Sequence, residues 1–438
     1  MTSSTATLLA SRRFAPLFAT QFLGAFNDNL FRTAMTFLVV YRLLTHDAAG
    51  AGLVATLAAG LFILPYFLFS SLAGQIADVH DKAAVARWVK IAEIVIMAAG
   101  VLALHGDSVA LLLAVVFLLG VHSAFFGPMK YAILPQHLHG HELLAGTGLV
   151  EAGTFLAILF GQIVGGLLPA ETAAWAALGV AVLGWATSRA IPPAPPLVTS
   201  GRLGWNLAGE TWALMRAAHA NRPAFAALMG ISWFWALGAV MTAQIGPLSK
   251  SYLGAAPAVA TLCLTTFSVG IAVGSVVVAR LLRGRISVRY AAPALVVLAL
   301  ALIDLVFAVR AFAPPLDDPT APLLDVAAFL ARPAAWRVLA DLAVLALAGG
   351  IYSVPLYAVL QTSGAPETRA RMIAANNVMN AVFMVGATLL TSLVLLAGGT
   401  LPTLFAVLAG LSLVAAALTR AASRGSAGAA PSGPPAAP

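Results

Sequence analysis

The residues of this chain that can do chemistry are few, and they stand inside apolar runs. In 14–43, Gln21, Asp28 and Arg32 recur at seven- and eleven-residue offsets, on one helical face, with Asn27 and Asn29 beside them. Asp28 and Arg32 are four apart. They can neutralise each other as a structural pair, or line a cavity and meet a zwitterionic or anionic head group. In 143–168, Thr147, Glu151, Thr154 and Gln162 share a face. Glu151 can bind an amine, exchange a proton, or hold a neighbouring helix through a fixed hydrogen bond. In 372–397, Asn376, Asn377 and Asn380 fall within five positions, where lipid offers an amide no partner. They can bond across a bundle or to a solute. Ser353, Tyr357 and Gln361 make a further stripe, and Asp304 and Asp341 fit packing or local ion pairs. Lys130, just below the helix break expected at Gly127-Pro128, is placed to anchor at a membrane surface or to bind a phosphate. Charges at membrane depth are costly and mark function by default.

The elements that position these groups follow from composition. The 438 residues are 61% hydrophobic and 9% charged, against about 45–50% and about 25% in soluble domains. That excludes a soluble enzyme and a disordered chain, and places most of the protein in lipid. A crossing helix needs ~20 apolar residues. Twelve such runs are present: 14–43, 51–75, 84–104, 108–129, 143–168 and 171–190, then 224–248, 256–282, 290–312, 337–361, 372–397 and 400–420. None alternates as a barrel strand would. The expectation is an all-α membrane protein of 12 transmembrane helices in two six-helix bundles, 1–190 and 223–420. A cytoplasmic linker, 191–222, joins them and carries an amphipathic helix from Leu203 to Ala220 that would lie on the membrane surface. The Ala/Gly/Ser/Pro tail, 421–438, is expected to be disordered.

Orientation follows from Lys and Arg. With both termini cytoplasmic, 18 of the 24 basic residues, Lys90 among them, lie inside. Arg42, Lys250, Arg310, Arg332 and Arg337 lie outside and Arg32 within a span, as the positive-inside rule requires. The net charge of +8 is thereby a matter of topology, with no nucleic acid implied. Ser11-Arg12-Arg13-Phe14 mimics a twin-arginine export signal, but the run that follows is too long and too charged, so it reads as an uncleaved first span. Cys263 is a small residue in an apolar helix. His137, His139 and His141 alternate without a metal-site spacing, so no metal is expected. No catalytic triad, phosphate loop or carboxylate pair is in place, and neither an enzyme nor a cofactor is expected.

The halves echo each other. Phe126-Gly-Pro-Met-Lys-Tyr-Ala-Ile-Leu-Pro-Gln136 closes the fourth run, and Val354-Pro-Leu-Tyr-Ala-Val-Leu-Gln361 closes the tenth; Glu151 then aligns with Asn380. Such a duplication, with a long central loop, lets two bundles rock about a midplane cavity. Gly161-x-x-x-Gly165 and Gly270-x-x-x-Gly274 suggest close helix packing. Gly74-Gln-Ile-Ala-Asp78-Val-His-Asp-Lys82 resembles the signature loop of the major facilitator superfamily, departing from it at Val79 and Asp81. Arg283-Gly284-Arg285 is its remnant in the second half. Gly74, Asp78 and Lys82 read as gating residues, because their charges can satisfy neighbouring helices in only one of two states.

The segments Gln21-Phe-Leu-Gly-Ala-Phe-Asn27-Asp28-Asn29, Phe126–Gln136 and Arg371-Met-Ile-Ala-Ala-Asn376-Asn377 together resemble the bacterial lysophospholipid transporters of the major facilitator superfamily, over about 14–420. The resemblance implies a flippase that moves lysophosphatidylethanolamine and related lysolipids from the outer to the inner leaflet of the inner membrane by alternating access. Any re-acylating acyltransferase would be a separate chain. It also implies head-group or gating roles for Asp28 and the Gly127-Pro128-Lys130 region. Gln21, Asn27, Arg32, Glu151, Thr154, Tyr357, Asn376, Asn377 and Asn380 complete the expected substrate site. Trp233, Trp235, Met241, Phe383 and Met384 fit either a lipid-tail path or ordinary packing. Two other functions fit the same pattern: a proton-coupled exporter of drugs or small amphiphiles using Asp28 and Glu151, and a non-transporting anchor that docks a lipid-modifying enzyme through 191–222.

Overall fold

The computed structural model describes residues 5–44, 48–196, 203–312 and 323–427. Among them stand twelve long helices. Those of the first half are α1 (Ala15–Leu38), α2 (Ala48–Val79), α3 (Lys82–His105), α4 (Val109–His137), α5 (Gly140–Leu167) and α6 (Ala170–Ser188). Those of the second are α7 (Arg222–Pro247), α8 (Pro257–Leu281), α9 (Ala291–Phe312), α10 (Pro333–Thr362), α11 (Arg369–Leu396) and α12 (Leu401–Ala427). Ten are long and apolar enough to cross a membrane. The other two are α1, diluted by Gln21, Asn27, Asp28, Asn29 and Arg32, and α6, with 19 alanine-rich residues. No strand forms among the described residues; one isolated bridge joins Ala255 to Leu324.

The helix ends carry their own stop signals. Asp81, Ser108 and Asn221 cap α3, α4 and α7 by accepting a backbone N–H of the first turn, and Glu142 reaches back to the His139 N–H at the start of α5. Pro257 and Pro333 open α8 and α10, where a missing N–H costs nothing. After α8, Arg283 and Gly284 take φ of 51° and 71° and turn the chain sharply. Three expectations change. Gly127-Pro128 does not break α4, which runs through Pro128 and Pro135 to His137. A packed bundle satisfies the carbonyls that an internal proline frees. The linker helix is shorter than expected, Leu207–Ala220, and α12 continues to Ala427, into the stretch read as tail. Residues 197–202 of the linker and 428–438 of the tail lie outside the described residues.

Lipid is as apolar as leucine, so close backbone approach and polar pairs must hold such bundles together. Both glycine pairs serve that end. A Cβ on Gly161 or Gly165 would strike the carbonyls of Phe26 and Leu30 on α1, and a Cβ on Gly270 would lie 2.7 Å from Ala346 on α10. The linker gathers at one end of the molecule. There Arg87 donates to the Ile191 carbonyl, Asp81 accepts the Ala194 N–H at 2.9 Å, and His137 meets the Pro193 carbonyl. We call this the linker end. The two halves pack together there, through α2 on α11 and α5 on α8. Toward the opposite end α2 and α11 leave apolar side chains uncovered, Leu53, Leu57, Leu389 and Leu393 among them.

Candidate functional site

Asp28 sits on the buried face of α1 and accepts a hydrogen bond of 2.6 Å from Ser123 Oγ on α4; its Oδ1 has no partner. Arg32, one turn along, forms no ion pair with Asp28. Its guanidinium lies 4.3 Å over the Phe62 ring of α2. The four-residue spacing puts both groups on one face, but each finds its partner on a different neighbouring helix. The face of a desolvated ring is a good seat for a cation.

Behind Asp28 lies a cluster that the sequence reading passed over. Lys90 Nζ donates to Glu93 Oε2 at 2.6 Å, Asn27 Nδ2 donates to Glu93 Oε1 at 2.8 Å, and His122 Nε2 lies 3.3 Å from Glu93 Oε2. The Lys90 and Glu93 side chains are 0% and 1% exposed. Lys90, counted among the inner basic residues, is thus inside the first bundle. Its amine lies 5.0 Å from the centre of the Phe126 ring. Gly24 passes directly above it; a Cβ there would lie 2.5 Å from Nζ. Asn27 is thereby tied to Glu93, with its Oδ1 unpartnered. The available signal was Lys90 and Glu93 at a three-residue spacing within an apolar run, which places both on one face.

A second set of groups bridges the halves. The Tyr131 hydroxyl donates to Glu151, whose side chain is fully buried with Oε2 unpartnered. The Tyr131 ring stacks on Tyr357 of α10, with centroids 4.6 Å apart and planes 14° off parallel. Trp235 Nε1 donates to the Tyr357 hydroxyl at 2.6 Å, and Phe155 of α5 stacks on the Trp235 ring at 5.6 Å. Around this aromatic floor the helices nearly touch. Gln361 Nε2 donates to Thr147 Oγ1 at 3.1 Å. A Cβ on Gly148 would strike the Ser275 carbonyl, one on Gly74 would lie 2.8 Å from the Ala374 Cβ, and one on Gly127 would lie 2.8 Å from Asn377 Nδ2. Arg371 Nε donates to Asp78 Oδ2 at 3.0 Å across the same seam. Beside it, Lys82 is buried and feels Asp78 and Asp81.

Other expected site residues divide between the two sets. Gln21 accepts from Thr154 Oγ1 at 3.0 Å, a brace within the first half. Asn380 accepts from Ser232 at 2.8 Å, a brace within the second. Asn376 is 1% exposed with neither amide atom bonded, and the Asn377 amide nitrogen is also buried without a partner. Lys130 does not turn out to the surface. Its amine lies 4.9 Å from the centre of the Tyr131 ring, and the carboxylates it feels are those of Glu151 and Asp28. Arg32, Lys130, Asp28 and Glu151 thus put two cations and two carboxylates inside the first half, and Glu151 reaches the second half through Tyr131 and Tyr357. Of the expected tail-path residues, Trp233 and Phe383 line an apolar cavity of about 300 Å³ with Leu390 and Leu408. Met241 is buried packing, and Trp235 belongs to the floor. Asp304 pairs with Arg337 on the exposed side of the second half. No three His, Cys, Asp or Glu among the described residues gather as a metal site.

A family model described as Major Facilitator Superfamily matches residues 17–343. The lysophospholipid transporter LplT of Yersinia pestis (strain Pestoides F) is 28% identical over 391 residues, covering 86% of each chain. That of Yersinia pseudotuberculosis serotype I (strain IP32953) matches equally. Among solved structures, the human organic anion transporter MFSD10 superposes with a TM-score of 0.76 at 17% identity, covering 93% of this chain and 99% of its own. The Escherichia coli fucose:proton symporter FucP does so at 0.68 and 14%, covering 93% and 98%. A bacterial homologue of the iron transporter ferroportin, in an outward-facing state, gives 0.67 and 15%, covering 94% and 99%.

Proposed function

The chain belongs to the major facilitator superfamily and is a multi-pass membrane transporter, and we propose that its substrate is a lysophospholipid, lysophosphatidylethanolamine above all. The protein carries it from the outer to the inner leaflet of a bacterial inner membrane. In this reading α1 and α6 cross the bilayer like their ten neighbours, and both termini and the linker are cytoplasmic. The packed linker end is the closed inner gate, so the molecule faces outward. A separate acyltransferase re-acylates the delivered lipid.

The observation that carries this reading is the buried charge set of the first half, Asp28 and Glu151 with Arg32 and Lys130, joined to the second half through Tyr131 and Tyr357. A zwitterionic head group has a phosphate for the cations and an ammonium for the carboxylates. Moving it through hydrocarbon unaided costs several kcal/mol or more. The unpaired amides of Asn376 and Asn377 offer further donors and an acceptor to its glycerol and phosphate oxygens. Gln21, Thr154 and Asn380 hold the walls, and Tyr357 belongs to the floor. Gly74, Asp78, Lys82, Gly127 and Pro128 belong to the gate, with Arg371 added to it.

The test uses purified protein in liposomes carrying fluorescent lysophosphatidylethanolamine in one leaflet, with movement followed by back-extraction. Wild type is expected to outpace protein-free liposomes, and Asp28→Asn to slow it at least tenfold, as loss of one partner in a desolvated charge contact does. Wild type no faster than empty liposomes, with or without a proton gradient, refutes the lysolipid reading.

A further inference from the structure

The linker helix Leu207–Ala220 packs against α2, α7 and α11, so it lies across the seam where the two halves must part. Its inner face is tied to the gate. Leu214 and Ala218 are buried. Gln75 of α2, one turn before Asp78, accepts the Gly204 N–H at 2.8 Å and donates to Glu210 Oε2 at 3.2 Å. The linker thus holds α2 three residues from the Asp78–Arg371 bridge, while α11 lies against the same helix.

The outer face has different chemistry. Trp205 and Trp212 are 76% and 67% exposed. Spacings of four and three place Trp212, Arg216 and His219 in one stripe of the helix, Trp205 stands just before its start, and Arg216, His219 and Arg222 are all exposed. The acidic residue of the helix, Glu210, is turned inward to Gln75. Exposed tryptophans beside arginines, with no carboxylate among them, suit a membrane interface bearing anionic lipid. Trp88 and Trp185 stand within two turns of the linker ends of α3 and α6, marking the same level with an aromatic belt. A protein partner with an acidic face would not call for paired tryptophans at that level.

We propose that this helix is a strap that senses anionic phospholipid: its Trp/Arg face docks on acidic head groups at the linker-end surface and thereby holds the α2–α11 seam closed. The geometry gives the sign. The strap already joins α2 and α11 in the closed arrangement, so a second anchor in the lipid adds stability to that arrangement and makes opening rarer. The inference does not depend on which solute is carried.

The test uses the full chain in phosphatidylcholine vesicles with and without phosphatidylglycerol. Ser275 is fully buried at the α5–α8 contact. Ser275→Cys, in a Cys263→Ala background, reports opening through its rate of maleimide labelling. Phosphatidylglycerol is expected to slow labelling roughly thirtyfold, the scale that two interfacial arginines supply. Arg216→Glu with Arg222→Glu is expected to abolish the difference. Quenching of tryptophan fluorescence by brominated phosphatidylglycerol is expected to fall in Trp205→Phe/Trp212→Phe. Labelling that ignores phosphatidylglycerol, or a lipid effect that survives the double charge reversal, overturns the proposal. So does quenching unchanged in the double tryptophan variant, which would leave the helix to a soluble partner.

Discussion

At the scale of residues, the chemistry is held by pairs that lie several helices apart in sequence. Lys90 and Glu93, three apart on α3, are the exception and the most buried ion pair among the described residues. Two such charges in low dielectric are tolerable only together, and removing one partner leaves the other unpaired at a cost of about 3–5 kcal/mol. Glu93→Ala is therefore expected to lower the melting temperature in detergent sharply, while Lys90→Met with Glu93→Leu recovers most of the loss. A single variant that melts like wild type would mean that Lys90 is hydrated. The sequence identified Asp28, Arg32 and Glu151, because a charge inside an apolar run is conspicuous by itself. It could not say what they touch. Asp28 and Arg32 looked like partners on spacing alone, yet Ser123 and Phe62 claim them from two other helices. Lys90 was taken for a membrane-surface charge, because a basic residue seven positions into a run looks much like one at its edge.

At the scale of elements, glycines decide where helices can touch. Gly148 faces the Ser275 carbonyl with no room for a methyl group, whereas Gly179 on α6 has open space around its Cα. Gly148→Ala is expected to wedge α5 from α8 and to raise the labelling rate of Ser275→Cys several-fold. Gly179→Ala should leave that rate unchanged. Equal rates in the two variants would show that the α5–α8 contact does not limit opening. Helix positions were legible because twelve apolar runs with short connectors admit few arrangements. The run of α4 past Gly127-Pro128 was not, since whether a proline breaks a helix depends on which neighbours satisfy its carbonyls. The glycine pairs of α5 and α8 were legible as packing motifs, but their partners, α1 and α10, were not. The linker showed its amphipathic character in sequence. Its place across the seam depends on Gln75, a residue no local pattern distinguishes.

At the scale of the whole molecule, the two halves are alike in outline and unlike in content. Among the described residues the buried charged side chains are Asp28, Asp78, Lys82, Lys90, Glu93, Glu142 and Glu151 in the first half and Asp341 in the second. Under the lysolipid proposal, the charged half would grip a head group and the apolar half would accommodate a tail. That asymmetry also bears on how the protein is made. A charge at the centre of an inserting helix costs about 2.5–3.5 kcal/mol, and α1 carries two. Their partners emerge from the ribosome later: Phe62 with α2, Glu93 for neighbouring Asn27 with α3, Ser123 with α4. In a nascent chain ending at residue 79 a cysteine placed in α1 is expected to react with a water-soluble maleimide, and in one ending at residue 137 to be protected; protection in both would mean that α1 inserts unaided. The earliest of the twelve long helices is then among the last to be at home in the bilayer, and until α4 arrives the insertion machinery must hold it.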